Sequence, residues 1–185
     1  YAAHGYSAGK TGAGLIAARV PSTIIDVNEG CSKFVCGENE MSIGRTYSVK
    51  VDGDVPCYFY KNYFGITKDG ETKLDNRTGY TIALSSNNSC VFPSDKDSSN
   101  YVNGAGYGLT VSNCPNLDIK SFYFSENNEA VSLSGDVENV KIHDNNFEGN
   151  TTGINIDDPA DGLTVKNNIF VGNNNGITEK SQRTG

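Results

Sequence analysis

The chain has 185 residues, enough for one domain or for a solenoid with an appended segment. Its formal net charge of −7 at pH 7 argues against a nucleic-acid partner, whose phosphates require clustered Lys and Arg. The 22 Asn and 21 Gly with only 5 Pro describe turn-rich β structure, and no apolar run approaches the roughly 20 residues of a membrane-spanning helix.

Residues 1–30 read as an N-terminal arm. The first 14 are mostly Ala, Gly, Ser and Tyr and carry no core of their own. Residues 15–20 suit a short helix plugging the end of a solenoid, or an extended segment pairing with another subunit, and 23–27 a strand. Gly9-Lys10-Thr11 is not a phosphate loop, because Gly5 leaves three intervening residues where that motif needs four.

Residues 31–104 read as an irregular β-rich region, with strands near 42–51, 56–66 and 80–84 and hairpin-like turns at Asp52-Gly53 and Asp69-Gly70. The run Tyr58 to Phe64 is densely aromatic. It could stack on sugar rings, but packing and cross-strand pairing explain such residues more often. Residues 85–103 read as a polar loop without regular structure. The five cysteines include no Cys-x-x-Cys and the histidines are few, which argues against a zinc finger, and disulfides in an oxidising compartment are expected. Cys31 with Cys36 is the local pairing, Cys57 with Cys90 the longer one, and buried thiols are the alternative.

From 105 to 185 the chain repeats. Phe124, Phe147 and Phe170 recur every 23 residues, each opening a Phe-x-x-Asn phrase that ends at Asn127, Asn150 and Asn173. Leu117 and Ile119 become Val140 and Ile142 one period later, then Leu163 and Val165, at strand spacing. Such a period fits one coil of a parallel β-solenoid, in which Phe stacks on Phe and turn asparagines hydrogen-bond along columns. Asn also tolerates the left-handed backbone of a sharp corner. These residues resemble the right-handed parallel β-helix superfamily of pectate-lyase-like enzymes, phage tailspikes and surface adhesins, and the Phe-x-x-Asn phrase is similar to repeats of polymorphic outer-membrane adhesins. The resemblance implies an all-β, right-handed parallel β-helix and leaves function open, because that architecture hosts enzymes, adhesins and fibres alike.

Two outward groups are candidate sites. Lys120, His143 and Lys166 fall in one column flanked by Lys141, a basic stripe that could hold an acidic polysaccharide, with His143 the one weak catalytic candidate; a strand face balanced by Asp118 and Asp144 is favoured. Asp157, Asp158 and Asp161 crowd one turn, with Glu138 stacked one coil away from Asp161, and could bind Ca2+, although an exposed acidic loop outweighs it. Neither the pectate-lyase nor the polygalacturonase catalytic set transfers. Asn76, Asn87 and Asn150 open N-glycosylation patterns. The expectation is therefore an extracellular or cell-surface structural or adhesive solenoid, without a required cofactor, that self-associates through its arm and open ends. A carbohydrate-active β-helix is the alternative.

Overall fold

The computed structural model describes residues 25–28, 31–41, 43, 46–74, 79–93 and 96–180. It is a parallel β-solenoid whose coil passes through three faces. The first face is one seven-stranded sheet, ordered Ile25–Val27, Tyr47–Asp52, Tyr80–Ser85, Tyr107–Ser112, Glu129–Ser134, Thr152–Ile156 and Asn175–Glu179. The second face consists of two three-stranded sheets, Phe34–Gly37, Cys57–Tyr60 and Cys90–Val91, then Asp118–Ile119, Lys141–His143 and Thr164–Lys166. The third is a six-stranded sheet, Glu40–Met41, Tyr63–Phe64, Asn100–Asn103, Phe122–Ser125, Asn146–Glu148 and Ile169–Val171.

Ile25, Val49, Ile82, Leu109, Val131, Ile154 and Ile177 form one inward column, so successive coils take 24, 33, 27, 22, 23 and 23 residues. The strands of residues 31–104 are thus earlier coils of the same solenoid, and their irregularity lies in the connections. The 33-residue coil carries a hairpin closed by an antiparallel bridge between Ile66 and Lys73, with Asp69-Gly70 at its tip. Asp52-Gly53, expected as a hairpin, instead ends a first-face strand and turns the chain onto the second face. The expected loop at 85–103 contains strands Cys90–Val91 and Asn100–Asn103 and a short 3-10 turn, Lys96–Ser98. The strand expected over 56–66 breaks at Lys61, whose φ of 53° makes the corner between the second and third faces.

The core is one continuous stack. Phe124, Phe147 and Phe170 lie ring over ring at 5.3 and 4.7 Å, and Phe59, Phe92 and Phe122 fill the second-face side. Each corner asparagine is buried and donates its backbone N–H and an amide hydrogen to the side-chain oxygen of the asparagine one coil on: Asn127 to Asn150, Asn150 to Asn173 and Asn145 to Asn168, all at 2.9–3.0 Å. The left-handed backbone does not fall on these asparagines. It falls one residue earlier, at Glu126, Gly149 and Gly172 on one corner and at Asp144 and Asn167 on the other. That division is physical: the bend faces water, and the amide faces inward, where an unpaired polar group would be costly.

Candidate functional site

The basic stripe forms in register, with His143 opposite Lys166 on neighbouring second-face strands. Lys120 and His143 are already matched by carboxylates. Asp118 sits 2.6 Å from His143 Nε2, Asp144 sits 2.6 Å from Nδ1, and Lys120 donates to the other oxygen of Asp118 at 2.8 Å. Burial pushes the Asp118 carboxyl up, but the Lys120 hydrogen bond and the His143 charge outweigh it and hold it below the usual carboxylate range. A general base needs a nitrogen lone pair directed at substrate, and both nitrogens of His143 are occupied by carboxylates. Around Lys120 and His143 the strand face carries Asp118 and Asp144 as counter-charges. Lys141 and Lys166 make no ion pair among the described residues and leave a small cationic patch beside this strap.

The acidic turn does not converge. Asp157 pairs with Lys180 at 2.9 Å and accepts from Asn155, while Asp158 accepts the Gly135 N–H at 2.8 Å. Asp161 serves through its backbone carbonyl, which receives the Asn139 N–H, and the Glu138 N–H is bonded to Asp136. Among the described residues no three His, Cys, Asp or Glu side chains come together as a metal site.

All five cysteines are thiols, so neither expected pairing is made. Cys57 and Cys90 are register partners on parallel strands and point the same way, which leaves their β-carbons about 4.8 Å apart, outside the roughly 3.5–4.5 Å of a disulfide. Cys31 donates to the Lys33 carbonyl, while Cys36 faces inward onto Asn62. Asn87 and Asn150 are buried with their amide nitrogens hydrogen-bonded, to Gly53 and Val55 carbonyls and to Phe124 and Asn173 respectively, so the folded chain does not offer them to a glycan. Asn76 lies outside the described residues.

The tyrosine ladders escaped the sequence reading. Tyr63, Tyr101 and Tyr123 stack on the outside of the third face at 4.9 and 4.8 Å with nearly parallel rings, and Tyr47, Tyr80 and Tyr107 stack at 5.0 and 4.4 Å at the start of the first. The spacing of 22 between Tyr101 and Tyr123 is the repeat itself and could have shown them. Because each ring faces the next, these ladders spend their faces on each other and have little left for a sugar. The last described coil shows the open end that the sequence reading expected. Ile169, Val171 and Ile177 are 56%, 53% and 48% exposed, and the three strands that carry the last coil are each the edge of their sheet. At the opposite end Met41, Ile43 and Cys36, also in or beside edge strands, are covered to 1%, 2% and 3% exposure.

Residues 57–184 match a family described as periplasmic copper-binding protein (NosD). The chain belongs to the NosD family. It is a parallel β-helix family of the periplasm, which agrees with the solenoid and places this member outside the cytoplasm. No curated protein and no solved structure matches the chain. No helix among the described residues is long and apolar enough to cross a membrane. Copper, named in the family description, would need soft or imidazole donors open to the metal. His143 is clamped on both nitrogens, Met41 is buried, and Cys36, Cys57, Cys90 and Cys114 lie in the core with no third converging donor. The described residues of this NosD-family chain do not fit a copper site.

Proposed function

We propose that this NosD-family chain is an extracytoplasmic structural or adhesive solenoid that self-associates. The observation that carries the proposal is the half-exposed apolar set Ile169, Val171 and Ile177, which lies on strands that are sheet edges among the described residues. Burying each of Ile169, Val171 and Ile177 would contribute about 1–2 kcal/mol, and pairing the edge strands would satisfy backbone groups that otherwise rest on water. Among the described residues His143 is held between two carboxylates, Asp118 and Asp144, and offers no free nitrogen to a substrate.

Electron microscopy and light scattering across a concentration series test this. Elongated or paired particles should form, and Ile177→Asp, which adds charge at a half-exposed position, should leave a folded monomer. A parent chain that stays monomeric at every concentration, or a variant that assembles as well as the parent, would overturn the reading.

A further inference from the structure

The tyrosine ladders hold phenols in register on neighbouring coils. On the third face Tyr63, Tyr101 and Tyr123 are strand partners, and their column ends at Glu40 on one side and Asn146 on the other. The rings lie within 6° of parallel at both contacts, with centroids 4.9 and 4.8 Å apart. On the first face Tyr80 and Tyr107 repeat the arrangement at 4.4 Å and 11°. Parallel strands in register point both phenols of a contact the same way, so the ring carbons beside the two hydroxyls lie about one strand spacing apart.

Tyrosine is also where a one-electron oxidation can settle on this chain. There is no Trp, the single methionine, Met41, is 1% exposed, and Cys36, Cys57, Cys90 and Cys114 are buried. A thiol gives up an electron readily as thiolate, and burial pushes Cys36, Cys90 and Cys114 up and away from that form. Cys31 is the one cysteine that is not buried. Tyr123, 40% exposed, opens the third-face ladder to an oxidant and to water.

We infer that the ladders are sites of oxidative coupling, at which a one-electron oxidant joins Tyr101 to Tyr63 or Tyr123, and Tyr80 to Tyr107, as dityrosine, a covalent staple between successive coils. Each of two neighbouring phenols gives one electron to the oxidant and its hydroxyl proton to water. The two radicals form a carbon–carbon bond between the ring positions beside their oxygens, and the hydrogen at each of those positions moves to its own oxygen, restoring two phenols. Two electrons and two protons leave, and two equivalents of oxidant are reduced. Stacking makes the encounter of the two radicals intramolecular. Tyr58 and Tyr60 supply the contrast, because the strand partners of Tyr58 are Val35 and Val91 and that of Tyr60 is Gly37. The staple lies within one chain and is independent of self-association.

The test illuminates the full chain, with Cys31 first alkylated, in the presence of a ruthenium polypyridyl photosensitiser and persulfate, and maps the products by trypsin digestion and mass spectrometry. Tyr63, Tyr80 and Tyr123 fall on peptides 62–68, 78–96 and 121–141, and Tyr101 and Tyr107 on 97–120. Dityrosine joining 97–120 to each of the other three should form in a yield unchanged by dilution, and should exceed any link to 51–61, which carries Tyr58 and Tyr60, by about tenfold or more. Tyr101→Phe keeps a ring in the stack and should abolish the links to 62–68 and 121–141 while leaving the link to 78–96. In urea the preference over 51–61 should vanish. The stapled chain should unfold at a higher urea concentration than the untreated one, because each staple closes a loop in the unfolded state. Absence of dityrosine, links to 51–61 as frequent as ladder links, a yield that falls on dilution, or third-face links that persist in Tyr101→Phe would each overturn the inference.

Discussion

Removing the side chain of Asn127 would break three buried hydrogen bonds at once and leave the Ala105 N–H without its acceptor, while the Asn150 oxygen keeps the Asn127 backbone N–H. The Asn127 oxygen accepts the Ala105 N–H at 2.8 Å, and its amide donates to the Val102 carbonyl at 3.1 Å and to Asn150 at 2.9 Å, all inside the solenoid. Each buried polar group left unpaired costs about 1–3 kcal/mol, so Asn127→Ala should lose about 3 kcal/mol or more in a urea titration. Asn173→Ala removes the same kind of bonds where water can replace them, and should lose less than half as much. Equal losses at the two positions would show that the ladder is no more than a set of surface contacts. His143 illustrates the opposite case, a residue whose chemistry is quenched by its neighbours: the sequence pattern placed Asp118 and Asp144 close enough to weigh a balanced face, and the ring is held between them.

Among the elements, the second face brings the thiols together. Cys36, Cys57 and Cys90 come from its first three strands, and Cys114 from the turn one coil beyond Asn87, whose N–H it accepts at 3.2 Å. Burial pushes the Cys36 thiol up to about 12 and raises Cys90 and Cys114 as well, so thiolate is scarce in the folded chain. A thiol reagent should therefore label Cys31 alone in the native protein and all five cysteines in denaturant. A denatured count of three would establish one bridge and revive the Cys57–Cys90 pairing. Why the early coils were hard to read is also visible at this scale. Phe124, Phe147 and Phe170 announce themselves because nothing interrupts the 23-residue period. Phe64 and Val102 occupy the same column, but an inserted hairpin and a 3-10 turn lengthen the connections between them, so a fixed period misses them. Turns absorb insertions; stacked strands do not.

For the whole molecule, the strands of each coil pair only with those of the coils beside it, apart from the Lys73–Glu126 ion pair by which the inserted hairpin reaches past one coil, so stability is distributed largely as a line of nearest-neighbour terms. A middle coil has two neighbours and the last has one. Local opening should therefore cost most around Tyr107–Ser112 and Glu129–Ser134 and least at Asn175–Glu179. The N-terminal coil is not the mirror image of this end, because Met41 and Cys36 are covered although their strands are edges. Amide exchange followed by mass spectrometry should show protection that falls stepwise from 129–134 through 152–156 to 175–179, with Phe34–Gly37 better protected than Thr164–Lys166. Uniform protection across the three first-face strands would mean the solenoid opens as a single unit. Equal exchange at its two ends would contradict that asymmetry.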